Sequence, residues 1–262
     1  MSTTEILALS AALTLAYVTA VWLLSLVLRN ASIIDIGWGL GFVLLGSLYH
    51  VALDGWGGRR VLVATLVLLW GLRLSGYLLW RNWGKGEDFR YKRWREQDPA
   101  NFWWKSYFRV FLLQGAVVWI ISQPLRAAQQ SPTPDHLTAF DIIGTSVWAI
   151  GFLFESIGDL QLARFKANPA NEGKVMDRGL WRFTRHPNYF GDATLWWGFY
   201  LIAAGAGNGW LTIYAPILMT FTLMRVSGVT LLERSLKRTK PEYEDYARRT
   251  RAFFPWLPAK LP

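Results

Sequence analysis

Residues 5–28 read EILALSAALTLAYVTAVWLLSLVL, with Glu5 as the only charge. A bilayer core about 30 Å thick is crossed by roughly 20 apolar residues in a helix, and this stretch is long enough. It lacks the basic start and the short apolar core of a cleavable signal peptide, so it is expected to stay in the mature protein. Six more apolar stretches follow, at 33–53, 60–80, 107–125, 139–158, 188–206 and 209–232. The expected fold is all-α, a polytopic membrane protein of about seven transmembrane helices forming a single domain over 1–262.

Charge confirms that the apolar stretches are punctuated rather than diluted. The chain has 28 Lys and Arg against 18 Asp and Glu, and 52% of its residues are hydrophobic. Three segments, 81–105, 159–187 and the tail from 233, hold 21 of the 28 basic residues. In a seven-span count they lie on one side, which the positive-inside rule makes cytoplasmic, with the N-terminus outside. Arg59 and Arg60 fall on an expected outer loop, against the trend. Basic residues flanking apolar spans are accounted for by topology and headgroup contact, so no nucleic-acid partner is expected. Arg81 and Arg109 read as headgroup anchors whose stems lie along the spans. With no cysteine, and with His50, His136 and His186 far apart, no metal site is expected either.

Ionisable groups inside spans are costly and are kept where they line a cavity or pair. Asp35 is near one end of the second span. Tyr77 follows Arg73 and precedes Arg81 at four-residue spacing, on one face of the third. Gln114 lies in the fourth, Glu155 and Asp159 one turn apart in the fifth, and Asn188 and Asp192 one turn apart in the sixth. Arg225 and Glu233 close the series. In the seven-span topology all lie toward the cytoplasm, which argues for one polar cavity open to that side. Before the sixth span, Lys166, Arg182, Arg185 and His186 supply cations for phosphate or carboxylate groups. The chemistry of these residues alone points to a nucleotide-type cofactor.

The run Gly179-Leu180-Trp181-x-x-Thr184-Arg185-His186-Pro187-Asn188-Tyr189-x-Gly191-Asp192 resembles the steroid 5-alpha-reductase family of membrane oxidoreductases. So do Glu155-x-x-x-Asp159-x-Gln161 before it and Tyr243-x-x-Tyr246…Phe254-Pro255 after it. Asp35-Ile36-x-Trp38-Gly39 and Gly86-Glu87-Asp88-x-Arg90-Tyr91 look typical of a bacterial branch, which implies a bacterial inner membrane. The resemblance implies NADPH held by roughly 139–262 and reduction of an activated carbon–carbon double bond in a lipophilic, steroid-like or enone substrate drawn from the membrane lipids. It matches Asp159, Lys166, Asn188 and Asp192 to cofactor-contacting positions and places Glu155 where the steroid reductases have an asparagine; with the cations Arg182, Arg185 and His186, and with Tyr189 and Glu233, these form the expected cofactor set, and Tyr77 and Asp35 are expected in catalysis.

Departures from that family are visible. Its Gln-Glu pair on the second helix is absent, leaving Asp35 as the only acid there. The spacing from Tyr77 to the next arginine differs by one, and Glu233 stands near the place of a missing histidine. The stretch Arg185-His186-Pro187-Asn188-Tyr189-x-Gly191 with Glu233-x-x-Leu236 is also similar to isoprenylcysteine carboxyl methyltransferases, which would make His186 and Glu233 ligands of S-adenosylmethionine. A non-enzymatic lipid- or sterol-binding protein is the third reading.

Overall fold

The computed structural model describes residues 1–226, 229–240 and 242–259, and among these the structure is helical with no strand. Five helices are long and apolar enough to cross a membrane: α1 (Thr3–Leu28), α2 (Ile33–Ala52), α3 (Gly57–Asn82), α5 (Phe102–Gln130) and α6 (Ala139–Ala167). The short α4 (Phe89–Gln97) lies between the third and fourth of these. α7 (Pro187–Ala204) covers the sixth expected span in 18 residues. The seventh is broken. A 3-10 turn, Gly209–Ile213, leads into α8 (Tyr214–Phe221), then a π-helical turn Thr222–Val226, then α9 (Val229–Thr239). Residues 227 and 228 of that span lie outside the described residues. Among the described residues five helices thus meet the length and hydropathy of a span, and the expected count of seven is not confirmed. A last helix, α10 (Tyr243–Arg249), precedes the tail.

The helices are turned as membrane helices are. α1 buries Ser10, Thr14 and Ser25 and exposes Leu15, Leu23, Leu24 and Val27, the last at 80%. In water that arrangement would waste the apolar surface. In lipid the apolar side costs nothing outside, and small polar residues let helices approach. Ser10 and Thr14 bond back to carbonyls of α1, and Trp119 of α5 donates to the Ser10 hydroxyl at 2.9 Å. A capping box between Ser2 and Glu5 starts α1, and Arg29 in the left-handed region ends it.

The chain falls into two compact units, one of residues 1–138 and 203–212, the other of 139–202 and 213–262. In the first, the connections alternate between two ends. The N-terminal Thr3 accepts from Gln130, Trp56 N–H donates to Ser131 O, and Gly207 lies against Ser131. At the other end Ala31 N–H donates to Glu87 and Asp88 N–H to Ser32. Arg59 is fully buried at the first end, donating to the carbonyls of Pro134 and His136. It serves packing there, which explains an arginine that topology did not.

In the second unit α6 and α7 meet backbone to backbone. A Cβ on Gly151 would stand 2.5 Å from Gly191 O, and one on Gly191 would stand 2.4 Å from Glu155 N. Gly144 and Gly198 repeat the approach one heptad along. Such a seam of small residues is how helices pack where lipid competes equally for apolar side chains.

Candidate functional site: a basic cleft in the second unit

The residues expected to share one cavity gather in two clusters, one in each unit. In the second unit the end of α6, the loop after it and the segment 232–246 enclose a cleft of about 600 Å3, within the roughly 300–1,000 Å3 of ligand pockets. Its charged walls are Lys166, Arg185 and Lys240, opposed by Glu172 alone among the described lining residues. His186, Trp181, Tyr243 and Tyr246 line it as well.

Arg185 is the keystone of one wall. Its guanidinium donates to Glu233 Oε1 at 2.7 and 2.8 Å and to the Ala247 and Thr250 carbonyls. Its backbone N–H donates to Arg251 O. Neighbouring bonds join the same two segments: Thr184 Oγ1 to Phe253 O at 2.8 Å, Trp256 N–H to Phe183 O, and Tyr246 O–H to Trp181 O. The Arg-His-Pro loop is thereby strapped to residues 243–256.

His186 is buried, with Nε2 3.2 Å from Glu233 Oε1. Burial pushes its pKa below the usual imidazole value, and Glu233 offsets this only in part. Burial raises the Glu233 carboxyl, but hydrogen bonds and charge from His186 and Arg185 outweigh it and hold the group below its ordinary value. A carboxylate only accepts, so Nε2 carries the proton of a neutral ring and Nδ1 is left as a bare acceptor. Nδ1 is buried without a partner in the protein, while the Tyr243 hydroxyl is turned to Arg185 and Glu233. An orphaned polar atom on a residue that lines a cleft marks a place for a ligand's donor. Tyr189 stacks on His186 at 5.5 Å and 9°, fixing the ring plane.

The other expected cofactor residues sit differently. Asn188 donates to Asp159 at 3.2 Å, and Glu155, Asp159 and Asp192 are buried along α6 and α7. None of these lines the cleft, and Arg182 is exposed away from its walls. Gly191 makes room for the backbone of α6.

In the first unit the two motifs Asp35-Ile36-x-Trp38-Gly39 and Gly86-Glu87-Asp88-x-Arg90-Tyr91 close on each other. Asp35 accepts from Arg90 Nη2 and from the Tyr91 hydroxyl, both at 2.9 Å, and Gln114 Nε2 donates to the Tyr91 oxygen at 3.1 Å. Tyr91 is buried, and burial, reinforced by the Asp35 charge, pushes its pKa up. Tyr77 has a different neighbourhood, with Arg81 over its ring at 5.7 Å and Trp80 beside it. Gln114 is among the residues expected in the polar cavity, whereas Tyr91, Tyr243 and Tyr246 stand in the quoted motifs with no role of their own. A buried phenol in a basic, polar-looking helix carries no signal until its partner 56 residues away is placed.

Fold and site define a polytopic helical membrane protein with a basic, ligand-sized cleft beside an Arg-His-Pro loop. A family profile described as "Protein of unknown function (DUF1295)" matches residues 21–250, and the chain belongs to that family. An "Uncharacterized protein C594.04c" of Schizosaccharomyces pombe is 26% identical over 90% of this chain and 76% of its own length. The "Nickel-cobalt-cadmium resistance protein NccN" of Alcaligenes xylosoxydans xylosoxydans is 29% identical over 43% of this chain and half of its own. No solved structure shows significant similarity. Among the described residues no three His, Asp or Glu side chains group as metal ligands.

Proposed function

We propose that the protein is an NADPH-dependent membrane reductase acting on an activated carbon–carbon double bond of a lipophilic substrate. The observation that carries this is the cleft whose walls bring together Lys166, Arg185 and Lys240. With Arg185 balanced by Glu233, Lys166 and Lys240 against Glu172 leave the cleft one positive charge in excess, which suits a phosphate-bearing ligand. Support comes also from the family's place among steroid 5-alpha-reductase-like proteins. The residues fit such a cofactor: Lys166 and Lys240 would meet its phosphates, and His186 Nδ1 would accept from an amide or adenine edge. Arg185 spends its donors within the protein and shapes the wall. When bound, NADPH supplies the hydride. The hydrogen bond or proton at the substrate oxygen is the role the resemblance gives Tyr77, with Asp35 as the alternative; Tyr91 and Arg90 donate to the Asp35 carboxylate and hold it in place. The basic segments are placed in the cytoplasm and the N-terminus outside.

One observation favours a second reading. His186 and Glu233, the pair that would hold S-adenosylmethionine in a methyltransferase, stand 3.2 Å apart. Calorimetry on the detergent-solubilised protein separates the two. The expected result is binding of NADPH at least tenfold tighter than NADH and no binding of S-adenosylmethionine. Binding of S-adenosylmethionine alone overturns the reductase reading, and binding of neither nucleotide nor S-adenosylmethionine moves the protein to the lipid-binding class.

A further inference from the structure

A second cleft, of about 360 Å3, opens in the first unit where α4 meets the start of α5. Trp94, Asp98, Phe102, Lys105, Arg109 and Val110 line it. Its chemistry is divided. Phe102 and Val110 are buried and belong to the apolar core that includes Val18, Ile34, Tyr91 and Phe111. Lys105 pairs with Asp98 and lies over the Trp104 ring at 5.5 Å. Arg109 is exposed and has no hydrogen-bond or ion-pair partner among the described residues. Two cations and one carboxylate leave the cleft one positive charge in excess.

The surroundings decide what kind of anion belongs there. α5 is one of the five membrane-crossing helices, and the cleft is at its first two turns. Trp103 and Phe108, chain neighbours of the lining residues Phe102 and Arg109, are exposed at 54 and 57%. Large aromatic side chains left outside at the end of a span are the mark of the headgroup layer. A π-helical turn, Tyr107–Leu112, widens the helix at Arg109, and such turns often accompany binding sites.

We propose that this cleft holds the headgroup of an anionic phospholipid. The phosphodiester meets Arg109 and Lys105, and the first carbons of the acyl chains rest on Phe102 and Val110. A single phosphodiester charge balances the single excess cation. A soluble phosphate would gain the same ion pairs but would leave the apolar floor and the aromatic rim without a function, which is why the lipid is favoured. This reading does not depend on the nucleotide proposal.

The test is native mass spectrometry of the purified, delipidated full chain in detergent, titrated with dioleoyl phosphatidylglycerol or dioleoyl phosphatidylcholine. The expected result is phosphatidylglycerol bound at least tenfold tighter than phosphatidylcholine. Arg109→Gln should weaken it fivefold or more, and Arg93→Gln, an equal charge change on α4 outside the cleft, should leave it within twofold. Equal affinity for the two lipids, or equal losses in the two variants, would mean diffuse charge attraction and overturn the proposal. Displacement of phosphatidylglycerol by millimolar inorganic phosphate would give the cleft to a soluble anion instead.

Discussion

Two phenols compete for one role. Tyr91 is hydrogen-bonded to the only acid of α2, whereas Tyr77 is stacked with Arg81 and Trp80. A group that donates at a developing charge is worth roughly 10²–10⁴ in rate. With NADPH absorbance followed on a screen of 3-oxo-4-ene steroids and simpler lipophilic enones, Tyr77→Phe is expected to lower turnover about 10²-fold or more, and Tyr91→Phe, whose one proton is given to Asp35, less. Asp35→Asn should match Tyr77→Phe only if Asp35 is the acid. Nucleotide affinity should stay within a few-fold in all three. The reverse order of the two phenols would move the donor to Tyr91.

His186 and Glu233 make the fold itself sensitive to acid. Both have folded pKa values below their unfolded ones, so between the two values the unfolded chain binds more protons and stability rises with pH. Their contribution is complete above the unfolded imidazole value near 6.5 and is lost as pH falls, His186 first and Glu233 below its ordinary 4.5. Thermal melting in detergent should therefore drop on acidification from pH 7 to 4. Glu233→Gln leaves Arg185 without its carboxylate and should cost on the order of 3 kcal/mol at pH 7, with the lower part of the acid transition gone. An unchanged melting profile in that variant would mean the pair contributes nothing to the fold.

At the scale of elements, the seam between α6 and α7 sets the position of everything that follows Pro187. Gly191→Leu puts side-chain atoms where the Gly151 carbonyl and the Glu155 backbone already stand. The cost should exceed the ~1–3 kcal/mol of an overpacked core, and the variant should elute as aggregate on size exclusion where Gly57→Leu, with open space at its Cβ, stays monodisperse. What could be read from sequence here follows from range. Hydropathy over 20 residues needs no partner, so α1, α2, α3, α5 and α6 are legible. The last span is legible only as composition, because its 3-10 start at Gly209–Ile213 and its π-helical turn at Thr222–Val226 leave no mark on a hydropathy average. Arg185 was readable as a cation but not as a structural one, since its carboxylate is 48 residues away and its carbonyls more than 60.

At the scale of the whole molecule, the absence of cysteine is an experimental opening. Single cysteines can be placed without removing any. With membrane-impermeant maleimide on intact cells, Pro132→Cys and Asn208→Cys should label, and Lys85→Cys and Lys174→Cys should label only after the membrane is opened. Labelling of Lys85→Cys in intact cells would invert the topology and put the basic cleft outside, where no NADPH pool exists.

The strap from residues 243–256 onto the Arg-His-Pro loop has a consequence in time. Thr184 leaves the ribosome 69 residues before the Phe253 carbonyl it bonds, an interval of roughly 3–14 s at 5–20 residues per second. During that interval α6 and α7 can already be inserted, yet Arg185 has neither Glu233 nor its carbonyls. Until residue 233 and the carbonyls of 247 and 250 are made, Arg185 has none of these partners, and translation of the closing segment is the event that completes that wall of the cleft.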